Sequence, residues 1–417
     1  MLTHLLHLHH DLDKVTVGGA SIPRRADLRR MRQERHAKLQ AQLDAQDVGA
    51  LVLLGTNAVS YATGAAAPAA DSSRAAILRA VAVVVRGDPA PHVFTPYAEG
   101  APEELPADHL HGPLYPDLDD APLATRSILT ELLATCGRLA IDDVPYPLRP
   151  LLGGAELVPA APIMAPAKIV KTADELACIH EAQRINELAM VDAQRALRPG
   201  VRQTDLSACF LRRAYELGID TNAIDPIWQV MPPYLAAGPW TTHGSVAFPT
   251  PTTDRFLREG DVLWVDSGVT YQGYASDFGR TWVVAADPRP TARQRAQFER
   301  WCDVMSAVLE LCKPGVSSLE LTRAATAANE GVKPWIEHFY LGHGVGTESA
   351  EMPLVGTDLG DAFDEQQMLT PGTVLVLEPA IWDDGAAGYR SEEVIAITDD
   401  GWVALSDHPY DPFGEAP

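Results

Sequence analysis

The sequence predicts two domains, an α/β domain followed by an α+β domain that is built from two similar halves. Three observations support this prediction. The chain has 417 residues, a length for which about two or three domains is the usual expectation. Helical segments alternate with short apolar runs in the first part of the chain. In the second part, a long helix that ends in Pro-Gly-Val occurs twice.

The composition is that of an acidic globular protein. Lys and Arg number 33 against 56 Asp and Glu, which gives a net charge of −23 and a pI of about 4.9. A phosphate backbone would be repelled, so we expect no nucleic-acid partner. No apolar run approaches the roughly 18–20 residues of a membrane span, so we expect no membrane partner. The five cysteines form no CxxC pair, and this pattern favours a reduced, cytoplasmic protein.

Residues 1–20 are expected to form a disordered leader. His4, His7, His9 and His10 lie there among leucines, without the basic start and long apolar stretch of a secretory signal. A His-rich tract can also bind a metal ion, and that alternative remains open at this point.

Residues 21–165 are predicted to form the α/β domain. A helical segment at residues 28–46 leads into a buried apolar strand at residues 48–55. The runs at residues 80–85 and 139–142 have the same short apolar pattern and are interpreted as further strands. None of these segments carries a chemical motif, so this domain is expected to have no chemistry of its own.

Residues 166–417 are predicted to form the second domain, because several prolines mark a boundary just before them. Thr172 and Thr291 each open a capping-box pattern at the start of a long helix. The Pro-Gly-Val segments after these helices begin at Pro199 and Pro314, which are 115 residues apart (314 − 199). This repeat predicts two related halves.

Four carboxylates repeat at nearly the same spacing. Asp266 ends a buried apolar strand and Asp277 begins the next one, while Glu378 and Glu392 occupy the equivalent places in the second half. The offsets are 112 (378 − 266) and 115 (392 − 277) residues. Each acid taken alone could simply form a salt bridge at a strand end. The repeat of all four instead indicates a shared site.

Each pair of acids is predicted to lie on a hairpin, with turns near residues 271–272 and at Gly385. Facing residues on a hairpin have Cβ atoms about 5 Å apart. Two buried carboxylates at that distance require a shared proton or a cation. His343 lies between the pairs in a run of glycines, where the backbone can approach a bound group closely. Four carboxylates and one imidazole predict a site for two divalent ions, with Mn, Fe, Co or Zn favoured over thiolate-binding metals.

These motifs resemble those of the methionine aminopeptidase, aminopeptidase P, prolidase and creatinase superfamily, which has the "pita-bread" fold. The similar segments are residues 265–268 (VDSG), 276–281 (SDFGRT), 342–346 (GHGVG), 377–379 (LEP) and 390–393 (RSEE). Residues 55–64 and 168–175 are similar to elements of the longer X-Pro peptidase branch. The resemblance implies an N-terminal creatinase-like α/β domain and a C-terminal pita-bread α+β catalytic domain.

The resemblance also implies the activity and the site. A metal-dependent hydrolase would cleave a peptide or peptide-like C–N bond, in the manner of an X-Pro aminopeptidase or dipeptidase. The implied ligands of two ions, commonly manganese, are Asp266, Asp277, His343, Glu378 and Glu392. Asp277 and Glu392 would bridge the ions, and a water between them would be the nucleophile. Glu378 would also act as acid and base. Arg390 would orient Asp277 or a ligand carboxylate, or else form an ordinary ion pair.

Two departures from the family pattern leave the substrate open. The peptidases have a histidine before the Glu-x-Pro that follows the glycine run, and this chain has Ala350 there. They have another histidine ahead of the first aspartate, where this chain has Thr250, with His243 seven residues earlier. The metal-binding groups are therefore more complete than the groups that polarise a peptide. The family also implies a homodimer in which the first domain of one subunit closes the other's active site.

Two alternatives follow from these departures. A creatinase-like hydrolase or a dimethylsulfoniopropionate lyase would use the same fold on a small non-peptide substrate, although the lyase is expected to have an acid where Ser349 lies. Trp228, Tyr234 and Trp240 could line a pocket for a small cation or could pack in the core. A non-catalytic binding protein is the other hypothesis, but such relatives usually lose metal ligands.

Overall fold

The computed structural model describes residues 12–66, 78–118, 124–234, 252–287 and 289–413. The leader histidines, together with His243, Thr250 and Trp240, lie outside these ranges. The chain divides into two compact units. The first unit is Asp27–Lys168, and the second unit combines Met1–Ala26 with Ile169–Pro417.

A short hairpin comes before the first unit in the chain. Strands β1 (Thr16–Val17) and β2 (Ala20–Ser21) pair in antiparallel orientation. The backbone N–H groups of Gly18 and Gly19 donate to the carboxylate of Asp399 at 2.8 and 3.2 Å. Residues 16–20, which the sequence assigned to a disordered leader, are therefore ordered, and the hairpin belongs to the unit that contains Asp399.

The unit Asp27–Lys168 is an α/β domain. Its elements are α1 (Leu28–Ala45), β3 (Ala50–Leu53), α2 (Thr56–Thr63), β4 (Val81–Val85), β5 (His92–Phe94), β6 (Leu110–His111), α3 (Ala124–Leu133), β7 (Arg138–Ile141), β8 (Glu156–Pro159) and α4 (Ala161–Ile169). The strands form one mixed sheet in the order β6-β5-β4-β3-β7-β8. The three predicted strands correspond to β3, β4 and β7.

Both faces of this sheet are buried. Leu51 and Leu53 of β3 contribute to a core with Leu39 of α1. The alternate residue Val52 contributes to a second core with Leu129 of α3. A strand that is covered on both faces has no polar side, which explains why β3 appears in the sequence as a continuous apolar run.

The second unit contains two halves, each of which begins with a pair of helices. The first half consists of α5 (Ala173–Ala196), α6 (Gln203–Glu216), β9 (Thr221–Val230), β10 (Val262–Tyr271), β11 (Tyr274–Ala275) and β12 (Phe278–Val283). The second half consists of α7 (Ala292–Leu309), α8 (Ser318–Ala328), β13 (Gly342–Gly344), β14 (Glu351–Val355), α9 (Asp361–Asp364), β15 (Val374–Leu377), β16 (Ala380–Trp382), β17 (Gly388–Arg390), β18 (Glu393–Ile397) and β19 (Trp402–Ala404). A helix pair precedes an antiparallel sheet in each half.

The predicted capping boxes are present, and both Pro-Gly-Val segments have the same structure. Thr172 and Thr291 cap α5 and α7. Gly200 and Gly315 have φ values of 84° and 85°, a conformation that glycine adopts at little cost. The N–H of Gly200 donates to the carbonyl of Leu257 at 2.8 Å, and that of Gly315 makes the equivalent bond in the second half. The sequence repeat therefore reflects a structural repeat.

Candidate metal centre

Asp266 lies within β10, and Asp277 lies just before β12. The hairpin between these strands turns at Gln272 and Gly273, both with positive φ (51° and 76°), as a two-residue hairpin turn requires. This turn falls one residue later than the sequence predicted. The pairing is therefore shifted by two residues, and Gly279 instead of Asp277 lies opposite Asp266.

Glu378 and Glu392 face each other, as predicted. Leu377 pairs with Glu393 on one side of them, and Ala380 pairs with Arg390 on the other. The same register places Glu378 opposite Glu392 and centres the hairpin on Gly385.

A backbone hydrogen bond connects the two hairpins. The N–H of Glu392 donates to the carbonyl of Gly279 at 2.9 Å. Gly279 has no side chain, and a methyl group there would overlap the Arg390 guanidinium and the Glu392 carboxylate. Because of this close approach, oxygen atoms of Asp266, Asp277 and Glu392 all lie within 4.8 Å of one another, and the three side chains are buried.

His343 lies in β13, between β14 and β15. Its Nδ1 is 2.8 Å from the carbonyl oxygen of Gly344, so Nδ1 carries the hydrogen and Nε2 faces the carboxylates. Nε2 is 3.4 Å from an oxygen of Asp277 and 3.4 Å from an oxygen of Glu378. The structure thus brings all five predicted ligands together.

Burial and mutual repulsion act on these groups. Burial raises the pKa of Asp266, and burial together with the charge of Asp266 raises that of Asp277 well above its usual value. Burial lowers the pKa of His343, but Glu378 and Asp277 outweigh it and raise the pKa to about 9. The centre concentrates negative charge, so a cation would be strongly favoured there.

Arg390 supplies one positive charge within the centre. Its Nε and Nη2 atoms donate to Oε2 of Glu378 at 3.2 and 2.6 Å. Its Nη1 is 3.1 Å from an oxygen of Asp266, and the guanidinium also pairs with Glu392. Of the sequence alternatives, contact with a ligand carboxylate therefore describes the geometry, with Glu378 as the main partner.

The residues fit divalent metal ions. Oε2 of Glu392 and Oδ1 of Asp266 are buried and have no hydrogen-bond partner in the described part of the chain. Orphaned buried oxygens are costly unless a cation or a donor satisfies them. Four carboxylates and one imidazole form a donor set that suits manganese or a similar ion.

Groups outside the ligand set hold the ligands in place. Gln183 of α5 accepts a hydrogen bond from the backbone N–H of Asp277 at 3.2 Å. The guanidinium of Arg280 donates to the carbonyl of Glu392 at 2.7 Å and to that of His408 at 2.6 Å. Neither residue was singled out from the sequence. Such outer contacts commonly orient metal ligands.

Two aromatic residues next to the centre were not predicted from the sequence either. The ring of Trp264 lies 4.6 Å from the guanidinium carbon of Arg390, and Tyr340 contacts His343 edge-on with ring centroids 5.1 Å apart. Trp264 is two residues before Asp266, so strand alternation already put both on one face. Tyr340 lies in a loop, where the sequence has no periodic signal.

The other sequence candidates lie elsewhere. Trp228 is buried in a core cluster and its Nε1 donates to Ser207, so it does not line a pocket. Tyr234 is 53% exposed. Ala350 is exposed next to β14.

Within the described ranges, no helix is both long and apolar enough to cross a membrane.

A two-domain fold with a pita-bread unit and an acidic candidate metal centre is typical of a class of metal-dependent enzymes. The sequence profile of metallopeptidase family M24 matches residues 177–399, which is more than half of the chain. The protein belongs to this family.

Curated relatives include X-Pro peptidases. The Xaa-Pro dipeptidases of Pyrococcus furiosus and Pyrococcus horikoshii are 29% and 30% identical over 57% of this chain. The chain spans 63% of the length of these two relatives. The probable dipeptidase PepE of Mycobacterium tuberculosis is 28% identical over 74% of this chain and 83% of its own length.

Solved structures share the fold. The prolidase from Pyrococcus horikoshii has a TM-score of 0.71 at 23% identity and covers 91% of this chain and 99% of its own. The X-Pro aminopeptidase from Thermotoga maritima has a TM-score of 0.69 at 17% identity and covers 90% and 98%. These similarities support the creatinase-like first domain and the pita-bread second domain.

Proposed function

We propose that this protein is a dinuclear metal-dependent peptidase that hydrolyses the peptide bond of X-Pro substrates, as an X-Pro dipeptidase or aminopeptidase. The observation that carries the proposal is the cluster of Asp266, Asp277 and Glu392, whose buried oxygens approach within 4.8 Å. Family membership and relatives named Xaa-Pro dipeptidase support the same conclusion.

Asp266, Asp277, His343, Glu378 and Glu392 would hold two divalent ions, with manganese as the expected metal. Such ions lower the pKa of a water, so that hydroxide is available near neutral pH, and they neutralise charge that develops on the substrate. Cobalt, zinc or iron would suit the same donor set.

Glu378 has the geometry for moving a proton. Its Oε2 is held by Arg390, and its Oε1 faces Nε2 of His343 at 3.4 Å. A carboxylate fixed in this way can accept the proton of the attacking water and deliver it to the leaving nitrogen. Arg390 positions Glu378 for this role and balances its charge.

The proposal is tested on the full chain with added manganese. X-Pro dipeptides, X-Pro-x tripeptides and matched peptides with alanine in place of proline would be assayed together with the metal content of the protein. We expect two bound ions per chain and turnover that requires proline. A protein that binds manganese but cleaves none of these peptides would contradict the peptidase proposal.

One observation favours a second candidate. Ala350 replaces a family histidine and its side chain is exposed, so that substrate contact is absent. A small non-peptide C–N substrate, as in creatinase-like hydrolases, would not need it. Guanidino and amide compounds therefore belong in the same assay. A lyase-like reaction and a non-catalytic binding role are the remaining alternatives, and a protein without affinity for manganese would favour the binding role.

Three further expectations remain proposals. The domain limits, residues 21–165 and 166–417, can be tested by limited proteolysis. A homodimer is expected from the family resemblance, and light scattering at micromolar concentration would detect a monomer instead. A cytoplasmic location is expected from the composition, and cell fractionation would test it.

A further inference from the structure

We propose that Tyr340 is a catalytic residue of the peptidase reaction, whose phenol hydroxyl donates a hydrogen bond to the substrate's carbonyl oxygen as negative charge develops on it. This inference rests on the proposed function, because it concerns the same centre. It addresses a specific gap. Ala350 stands where family members have a histidine, and an alanine side chain has no hydrogen-bond donor.

Tyr340 is held against the centre by aromatic packing. Its ring meets the His343 imidazole at an interplanar angle of 73°, and Phe339 stacks on it with centroids 4.3 Å apart. Phe339 in turn contacts Trp264 edge-on at 6.4 Å, and Trp264 lies beneath Arg390. We call Trp264, Phe339 and Tyr340 the aromatic wall. It extends from His343 to Arg390, along one side of the metal-ligand cluster.

The hydroxyl of Tyr340 is available to a substrate. It makes no hydrogen bond to any residue that the structure describes, and the side chain is only half-buried. A tyrosine hydroxyl keeps its proton at neutral pH, so it is a hydrogen-bond donor.

Other donors near the centre are less suitable. The guanidinium of Arg390 is engaged by Glu378, Asp266 and Glu392. The hydroxyl of Thr347 is buried out of contact with solvent, so a substrate would not reach it without rearrangement. Tyr340 combines a donor group, contact with a metal ligand and access from solvent.

The proposed step balances without a further reactant. The oxygen of water adds to the carbonyl carbon, and the C=O electron pair moves onto the carbonyl oxygen, where Tyr340 stabilises it without losing its proton. The C–N bond then breaks as the carbonyl re-forms, and the leaving nitrogen takes the proton that Glu378 received from the water. One water is consumed, and a carboxylic acid and an amine are released.

The test compares Tyr340→Phe with the unchanged protein, both loaded with manganese and assayed on an X-Pro dipeptide. Removing one donor to a developing oxyanion typically costs about 10²–10³ in turnover. We expect kcat to fall by about that factor, with KM and bound manganese unchanged. Tyr215→Phe removes the same atom from an exposed position in α6 and should leave kcat unchanged. Thr347→Val tests the rival hydroxyl.

A second readout does not depend on turnover. A phosphinic pseudodipeptide, in which a PO₂⁻ group replaces the scissile amide, presents oxygens where the oxyanion would develop. Calorimetry should give a dissociation constant about 10- to 100-fold weaker for Tyr340→Phe, as expected for one lost hydrogen bond to a charged group.

The outcomes separate the two proposals. An unchanged protein that cleaves X-Pro dipeptides, together with a Tyr340→Phe variant of equal kcat and equal affinity for the pseudodipeptide, would overturn the role of Tyr340 alone. A fall in kcat for Thr347→Val, with no fall for Tyr340→Phe, would likewise overturn the role of Tyr340. An unchanged protein that holds manganese but neither cleaves the dipeptide nor binds the pseudodipeptide would overturn the proposed function, and the role of Tyr340 with it.

Discussion

Two guanidinium nitrogens of Arg390 donate hydrogen bonds to one oxygen of Glu378, Nε at 3.2 Å and Nη2 at 2.6 Å. Both side chains are buried. Glu378 lies just after β15 and Arg390 ends β17, so the hairpin centred on Gly385 brings them together. The other oxygen of Glu378 faces His343. Arg390 would therefore position Glu378, whereas Glu378 itself would bind the metal.

Arg390→Lys is therefore expected to reduce turnover more than metal binding. Lysine keeps the positive charge, but its single ammonium nitrogen cannot replace the two hydrogen bonds that the planar guanidinium donates to one oxygen. Loss of a group that orients a ligand typically costs about 10- to 100-fold in activity or metal affinity. We expect kcat on an X-Pro dipeptide to fall by about that factor with two manganese ions still bound. Loss of both ions would instead make Arg390 essential for assembly of the centre.

Glu392→Gln is expected to abolish or greatly weaken binding at both metal sites. The change keeps the shape of the side chain but removes the charge of a residue that would bridge two ions. Titration calorimetry with manganese measures the stoichiometry. Glu259→Gln, at an exposed position before β10, is the matched control and should bind as the unchanged protein does. His343→Ala should lose one ion only. Two ions bound to Glu392→Gln with unchanged affinity would refute the bridging role.

Gly279→Ala is expected to damage the centre from the backbone. The added methyl group would overlap the Arg390 guanidinium and the Glu392 carboxylate, both of which are buried. Overpacking of this kind costs about 1–3 kcal/mol of stability, and displacement of Glu392 should also weaken manganese binding. Gly401→Ala is the control, because a Cβ there would meet no atom within 4 Å. Equal manganese affinity in both variants would contradict the expected displacement.

Lys171→Met is expected to destabilise the second unit. Lys171 Nζ donates to Oε1 of Glu351 at 2.7 Å, and the two side chains are only 1% and 5% exposed. Removing one member of a buried ion pair leaves an uncompensated charge and costs about 3–5 kcal/mol. Urea unfolding measures the loss. The double variant with Glu351→Gln should be more stable than Lys171→Met alone, whereas an additive loss would mean that the pair is not coupled.

The first unit is expected to lose stability on acidification. His92 Nδ1 lies 3.0 Å from His111 Nε2, and the His109 ring stacks on His92 at 3.9 Å. Burial, followed by the charges of His92 and His109, lowers the pKa of His111 to about 4, while Asp108 acts in the opposite direction. Because the unfolded chain binds a proton near pH 6.5, stability is complete above that pH and falls between about pH 6.5 and 4.

The measurement is the melting temperature of the first unit at pH 7 and pH 5. Replacing His111 by Gln should reduce the acid-induced fall, by a few degrees for each kcal/mol involved. His338→Gln is the control, because Asp358 raises the pKa of that exposed imidazole. Its contribution has the opposite sign, since it is present at low pH and lost as pH rises. An equal fall in the unchanged protein and the His111 variant would refute the assignment.

Local patterns determined much of the fold from the sequence. The capping boxes at Thr172 and Thr291 and the glycine turns after both helices depend on neighbouring residues, so their positions could be read directly. The buried strands of the first unit were recognisable because covering both faces leaves only apolar residues. The four expected carboxylate ligands could be identified because they repeat at offsets of 112 and 115 residues, and His343 because it lies in a run of glycines between the two pairs.

Only the tertiary structure decided how these groups meet. The hairpin before Asp277 turns one residue later than its sequence suggested, because Gln272 and Gly273 both adopt positive φ, and this shift put Gly279 opposite Asp266. Arg390 meets Glu378 within one hairpin, but it also reaches Asp266 in the other half of the unit. Tyr340 contacts His343 from an irregular loop. A period in the sequence determines which face a side chain occupies, but packing between elements determines which atoms come within bonding distance.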